Sequence, residues 1–380
     1  MQFSEIHGLD KIKNQLIQAV KKDHVAHAQL FLGEEGGANL ALAIAFATYL
    51  NCQDPGESDS CGQCPSCVKN KKHIHPDVHY VFPVSSTTKV KGKDVVSNNF
   101  LKEWRQFLDE GVFGDLTDWS LIFGGENKNL NISKEESRQV IQKLSLTAFE
   151  GEYKILIIWM PEYMHPSAAN GLLKVLEEPS DRTVFLLVAQ DEERLLGTIL
   201  SRTQKVMVRR FNHQEVQQQL LTSGVSQEKA SHIARLVAGN MKLALKLAND
   251  GDEDHGTSFK EWMRLCYGAD HKQLVHWSDD FHKMNKINQR GFFRFGLSLL
   301  RETLLSHYGD PQLIMLNDSE KEFVRKFSTV VTPEVIEPLC NLFTEALFHL
   351  ERNGSAKMIF LDASLKVIQQ LKKVHLEAQN

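Results

Sequence analysis

Positive charge is in deficit. The 380 residues carry 44 Lys and Arg against 48 Asp and Glu, a formal net charge of −4. That balance excludes a chain that holds nucleic acid by its own global field, so any DNA contact has to be local or shared with partners. No apolar run approaches the roughly 20 residues needed to span a bilayer. Met1-Gln2-Phe3-Ser4-Glu5 lacks the basic start and apolar core of a signal peptide. A soluble, cytosolic protein with no membrane contact is expected. Cysteine is scarce and uneven: of six, four crowd between Cys52 and Cys67, while Cys266 and Cys340 stand alone. In a reducing compartment such crowding indicates a metal rather than disulfides. With 42% hydrophobic residues the chain can bury a sizeable core, and it is too long for one domain.

A second lack is local. Phe31-Leu32-Gly33-Glu34-Glu35-Gly36-Gly37-Ala38-Asn39-Leu40 has the frame of a phosphate-binding loop, G-x-x-x-x-G-K-[ST], without the residues that grip a phosphate. Aligned on Gly33, Ala38 stands at the second glycine, Asn39 at the lysine and Leu40 at the Mg²⁺-binding hydroxyl. Glu34 and Glu35 add two carboxylates beside the place of a triphosphate. An ordinary strand-to-helix turn accounts for the glycines equally, but the flanks fit the motif: Ala28 to Leu32 reads as a buried strand and Leu40 to Leu50 as a buried helix.

The first two-thirds alternates strand-like and helix-like signals, which indicates an α/β domain with a largely parallel sheet. Lys154 to Trp159 and Thr183 to Ala189 are short apolar runs suited to strands covered on both faces. Pro166 to Glu178 between them reads as a helix, stopped by Pro179. From about Tyr80 to Leu130 the pattern loosens, through Lys89-Val90-Lys91-Gly92-Lys93, a short helix around Phe100 to Leu108 and Gly124-Gly125-Glu126-Asn127. This segment reads as an insertion whose lysines either touch a phosphate or simply form a solvated loop. After Arg210 only helices follow: Gln214 to Leu221, Gln227 to Ala238 and Met241 to Ala248, an acidic linker at Asn249 to Asp254, then apolar residues at helical spacing such as Phe292, Phe293, Phe295, Leu297, Leu299 and Leu300.

Cys52, Cys61, Cys64 and Cys67 follow C-x8-C-x2-C-x2-C. Four thiolates suit a tetrahedral, structural Zn²⁺ with no open position. An iron–sulfur cluster and disulfides are the rivals, although a ferredoxin run carries its fourth cysteine downstream, before a proline. His73, His75 and His79 are alternative ligands or ordinary loop residues. The strand Ile155 to Ile158 ends where a glycine-loop ATPase needs acids for Mg²⁺ and for the attacking water. Trp159 and Met160 stand there and can do neither. Glu162, beyond Pro161, reads as a surface carboxylate.

Ala168-Ala169-Asn170-Gly171-Leu172-Leu173-Lys174-Val175-Leu176-Glu177-Glu178-Pro179 closely resembles the A-x-N-A-L-L-K-x-L-E-E-P helix of bacterial clamp-loader ATPases and their relatives. Ile199-Leu200-Ser201-Arg202-Thr203 resembles their S-R-C element, with Thr203 in place of the cysteine, and His27 to Leu32 the strand before their phosphate loop. The cysteines after the first loop helix are typical of bacterial members. These landmarks span roughly Ala26 to Gln204.

The resemblance implies an AAA+ α/β domain at 1–208, with a four-cysteine zinc module at 52–67 and the insertion at about 80–130. A small helical lid at 209–251 and a helical collar at 258–380 would follow. It implies a member that does not hydrolyse ATP, assembles with gamma/tau-type ATPase subunits and a delta subunit, and reaches the sliding clamp and primed DNA through the complex. The arginine after the family's serine projects into the neighbouring subunit's ATP site. Arg202, with Ser201 in the same motif, is thus a candidate arginine finger. From the residues alone Arg202 equally suits a cation past the C-terminus of a helix spanning Glu192 to Leu200. Where ATP-binding members carry an arginine facing their own nucleotide this chain has Lys242, which a solvated helix lysine explains equally. An active ATPase of the same fold, or a zinc-dependent nucleic-acid-binding module, are the competing functions.

Overall fold

The computed structural model describes residues 1–126, 128–145, 147–249, 255–308 and 318–377. Of the runs singled out above, 250–254 of the acidic linker and Asn127 lie outside the described residues.

The apolar runs become one sheet of β1 (Ala28–Leu32), β2 (Val78–Val81), β3 (Lys154–Trp159), β4 (Thr183–Ala189) and β5 (Gln204–Met207), in the order β2-β3-β4-β1-β5. Every pairing is parallel. β1, β3 and β4 are buried along their whole length, which is why their sequences are continuous rather than alternating. Leu32 pairs with Ala189 and Trp159 with Val188. The register thus brings the glycine loop, Met160 and Gln190 to one edge, the carboxyl ends of the strands, where open α/β sheets hold ligands.

Helices cover both faces. α1 (Asp10–Lys21) packs against α2 (Asn39–Leu50), all twelve of whose residues are buried against the sheet, with Phe46 meeting Phe31 at 6.4 Å between ring centroids. α3 (Pro65–Lys71) follows, within the cysteine segment. α4 (Leu101–Gly111) and α5 (Leu116–Phe123) lie between β2 and β3. The other face is covered by α6 (Lys134–Leu144) and α7 (Pro166–Glu177). Val140, Leu144, Ala169, Leu172 and Leu176 of these helices join Leu30, Leu156, Ile158, Phe185 and Leu187 in one core.

Beyond β4 come α8 (Gly197–Leu200), α9 (His213–Thr222), α10 (Gln227–Leu236) and α11 (Met241–Asn249). The remaining helices are α12 (His255–Tyr267), α13 (His271–Lys283), α14 (Lys286–Tyr308), α15 (Asp318–Phe327), α16 (Pro333–Glu351) and α17 (Ala356–Glu377). The described residues pack as two compact units, 1–230 with 238–246, and 231–237 with 247–380. The second unit has an aromatic core: Phe259, Trp262, Phe281, Phe292, Phe343 and Phe360 are fully buried, and the Trp262 indole donates to Ser364 Oγ at 2.9 Å. No helix among the described residues is long and apolar enough to cross a membrane.

Several sequence expectations need correction. The segment from Tyr80 to Leu130 is not loose. Its ends are pinned by an antiparallel bridge between Val84 and Asn131, and its Trp104 and Trp119 are fully buried. The expected helix from Glu192 to Leu200 is only α8, because Asp191 turns the chain by accepting from Glu193 N at 3.0 Å and Leu196 is extended. The helix expected to reach Ala238 ends at Leu236, and Ala238 and Gly239 both take left-handed backbone. Glu162 is no surface carboxylate: it accepts from Gln190 N at 2.9 Å at the end of β4, its other oxygen is buried, and burial raises its pKa. His79 lies in β2 and His75 is buried, so neither is an ordinary loop residue.

Candidate functional site

The loop between β1 and α2 is closed by its own residues. Gly33 N donates to Ala189 O at 3.3 Å. Asn39, the first residue of α2 and 5% exposed, donates through Nδ2 to Gly33 O at 2.7 Å and to Ala189 O at 3.2 Å. The residue standing where a lysine would reach outward instead turns inward and ties the loop to β4. Its Oδ1 would lie 2.8 Å from a Cβ at Gly33 and 2.7 Å from one at Gly37, so it occupies the inside of the loop. Leu40 is buried in the core. Gly36 keeps a role of a different kind. Its φ is +72°, and an added Cβ would come within 2.0 Å of Asn240 Oδ1. That glycine admits the residue that caps α11 through Leu243 N at 2.9 Å, and Met241 N donates to Gly36 O at 2.9 Å.

Above the loop, the space is taken. Val112, Phe113 and Gly114, which join α4 to α5, line a cavity with Glu34, Gly36, Gly37, Asn39, Trp159, Met160 and Gln190. Its volume is about 10 Å³, the room of one water, whereas pockets that take drug-sized ligands measure roughly 300–1,000 Å³. Trp159 is not a vacant acid position but part of an aromatic cluster with Trp104 and Phe107, each 5.2 Å away between ring centroids.

Lys242 is not a solvated lysine. Its side chain is 19% exposed; Nζ is ion-paired with Asp115, lies 3.0 Å from Asp118 Oδ2 and 3.6 Å from Glu35 Oε1. Burial would lower its pKa, but the hydrogen bond and charge of Asp115 outweigh this and raise it. For Asp115 the balance is reversed: burial pushes up, and the bond from Lys242 with the Asp118 N–H holds it below the usual carboxylate range. Burial and the Asp115 carboxylate raise Glu35. Asp115 and Asp118 form the capping box that starts α5. That D-x-x-D spacing was the sequence signal that could have revealed the helix. Val112, Phe113 and Asn240 gave no such signal.

Arg202 lies just past α8, half-buried. Its Nε donates to Glu177 Oε1 at 2.6 Å, and Nη1 donates to Thr198 O at 2.9 Å and to Ser201 Oγ at 3.1 Å. The cation is therefore held from two sides, by Glu177, the last residue of α7, and by the Thr198 carbonyl in the last turn of α8, so the helix end does meet it, as a hydrogen bond from a single turn rather than through the dipole of a long helix. Neither Glu177 nor this pairing was singled out from the sequence.

The four cysteines Cys52, Cys61, Cys64 and Cys67 converge, their sulfurs all within 4.8 Å of one another. Cys61 and Cys67 Sγ are 3.9 Å apart, close to the edge of a tetrahedron with metal–sulfur bonds of about 2.3 Å. Backbone N–H groups of Cys61, Cys64 and Cys67 point at Cys52, Cys61 and Cys64 Sγ at 3.2, 3.3 and 3.4 Å. Those of Gln63 and Cys64 hold the Cys61 thiol down to about 7. All six cysteines are free of disulfides. The donor set fits one metal ion. His73, His75 and His79 stand outside the cluster; burial pushes His73 and His79 to about 4.

Fold and site define a parallel α/β protein with a strand, a glycine loop and a helix at the carboxyl edge of its sheet, the loop closed on itself by Asn39. A family model described as "DNA polymerase III, delta subunit" matches residues 8–212, and the chain belongs to that family. Among curated proteins it is 26% identical over 245 residues to the DNA polymerase III subunit delta' of Bacillus subtilis, covering 64% of this chain and 60% of that protein. It is 30% identical over 177 residues to the subunit delta' of Pseudomonas aeruginosa, covering 47% and 41%. With the DNA polymerase III subunit tau of Escherichia coli it shares 22% over 254 residues, covering 65% and 32%. The matches span less than two thirds of these relatives' own length. Within the family, these relatives place the chain with the delta-prime subunits, at modest identity.

Proposed function

We propose that this chain is a clamp-loader subunit of a bacterial DNA polymerase III that neither binds nor hydrolyses ATP productively. It acts in DNA replication in the cytoplasm, at the nucleoid, by assembling with ATPase subunits of the gamma/tau type and a delta subunit. Through that complex it supports the loading of the sliding clamp onto primed DNA. The observation that carries the non-hydrolysing reading is the filled loop: Asn39 turned inward, Trp159 packed where an acid is needed, and a residual cavity of about 10 Å³.

Arg202 is the residue offered to a neighbour. A guanidinium placed against a γ-phosphoryl group neutralises charge as it spreads over the oxygens, worth about 10³–10⁵ in rate in other phosphoryl-transfer systems. Glu177, Thr198 and Ser201 orient it at the surface, where a second subunit can reach it. Residues 209–251 and 258–380 serve as lid and collar, the collar supplying apolar helical surface for assembly. Cys52, Cys61, Cys64 and Cys67 hold a structural zinc; four thiolates leave it no open position for catalysis.

The test is titration of the purified chain with MgATP, by calorimetry and by phosphate release. Neither heat of binding nor turnover is expected. Sustained turnover by the chain alone would overturn the reading in favour of an active ATPase.

A further inference from the structure

The loop at Gly33 to Asn39 is empty of phosphate chemistry, yet the elements around it are drawn together by charge. Val112 and Phe113 enter the crevice at the carboxyl ends of the strands, with Phe113 edge-on to Phe211 at 5.8 Å. Two residues on, the chain turns into α5 and presents Asp115 and Asp118 to Lys242 of α11, with Glu35 of the loop 3.6 Å from the same ammonium. Glu34 of the loop pairs in turn with Arg210. An aromatic ring followed by convergent anions, placed between a glycine loop and a cation on a later helix, has the chemical make-up of a nucleotide in this crevice.

We infer that residues 112–118 are a built-in surrogate for a nucleotide: Phe113 fills the apolar part of the crevice and Asp115 with Asp118 supplies the anionic part that holds Lys242, docking 238–246 onto the glycine loop without any ligand. The inference rests on the reading that this loop takes no ATP, and it says what replaces it. Segment 112–118 brings two carboxylates to one lysine, more negative charge than a simple ion pair requires. That surplus is what a polyanion would bring. Gly36 belongs to the same device, since only a residue without Cβ lets Asn240 approach.

Amide hydrogen exchange on the full chain tests this, comparing wild type with Asp115→Asn, Lys242→Ala, the double variant and Lys242→Arg, each with and without MgATP. The readout is the peptide covering 238–246, whose Met241 and Leu243 amides are bonded to Gly36 O and Asn240 Oδ1; strand 154–159 serves as the control. Asp115→Asn and Lys242→Ala should speed exchange of that peptide on the order of tenfold, leaving the strand protected. The double variant should exchange no faster than the faster single one, Lys242→Arg should stay close to wild type, and MgATP should change nothing. If Lys242→Ala does not fold, Asp115→Asn and Lys242→Arg carry the same comparison. Unchanged exchange in Asp115→Asn, with ATP still not bound, would overturn the surrogate alone. Protection of wild type by MgATP would instead overturn the reading on which it rests.

Discussion

The Trp159 ring lies 5.2 Å from the Trp104 ring, centroid to centroid, and both side chains are essentially fully buried. The residue at the end of β3, where a glycine-loop ATPase needs an acid, is therefore a packing residue shared with α4. Restoring a carboxylate there cannot restore chemistry. Trp159→Asp leaves a cavity and an unpaired buried charge, and the loss of the aromatic alone should cost about 3–5 kcal/mol. Urea unfolding should show that loss, with no phosphate release by whatever folded protein remains.

Asn39→Lys makes the same point from the loop. The wild-type amide satisfies the carbonyls of Gly33 and Ala189. A lysine has no room to extend into a cavity of about 10 Å³, and leaving buried carbonyls unpaired costs about 1–3 kcal/mol. The substitution should lower stability by that order and should not create ATP binding in a calorimetric titration.

The strands were legible because continuous apolar runs such as Thr183 to Ala189 can be satisfied only between two covered faces, and α7 because its leucines keep helical spacing up to Pro179. Between β2 and β3 the outcome was mixed: α4 was legible as the short helix expected around Phe100 to Leu108, whereas α5 was not. The buried residues of these helices, Trp104, Phe107, Trp119 and Phe123, sit on short segments broken by glycine and aspartate, and Trp104 and Phe107 find their partner Trp159 some fifty residues on, in β3. The contact between Lys242 and Asp115 joins elements more than a hundred residues apart, which no local periodicity reports. The expected helix at Glu192 failed because an acidic start resembles a helix N-terminus even when Asp191 uses its side chain to make a turn.

Acid stability should carry the mark of Asp77. Its buried carboxylate accepts from Phe149 N, Glu150 N and Gly151 N at 2.6, 2.9 and 2.7 Å. Burial alone would raise its pKa, but these donors outweigh it and hold the group below the usual carboxylate range. A depressed carboxylate contributes stability that is present above the unfolded value, about 3.9, and lost as pH falls through the lower folded value. Asp77→Asn should therefore lower stability by about 1–3 kcal/mol at pH 7. The deficit relative to wild type should shrink as the pH falls below 4, in denaturation curves taken at several pH values.

The cysteine cluster makes a quantitative claim. Metal analysis should find about one zinc per colourless chain, and Cys64→Ser or a strong chelator should lower the melting temperature, since a structural site contributes folding energy outright. A brown protein with iron and sulfide would contradict the zinc assignment.

Glu177 bears on how Arg202 is presented. Exposed ion pairs are worth about 0–1 kcal/mol, so Glu177→Gln should leave the melting temperature nearly unchanged. Because the amide oxygen of that variant can still accept a hydrogen bond from Arg202 Nε, a reconstituted complex should keep most of its ATPase activity, whereas Glu177→Ala should lower kcat more than it alters KM.

The central claim is that a chain unable to use ATP itself completes a neighbour's active site. The direct measurement is single-turnover phosphate release by a reconstituted complex containing either wild-type chain or Arg202→Ala, with assembly checked by size-exclusion chromatography. Hydrolysis at the one site that Arg202 faces should fall by about 10³ or more in a complex that remains intact. Equal rates from the two intact complexes would contradict it.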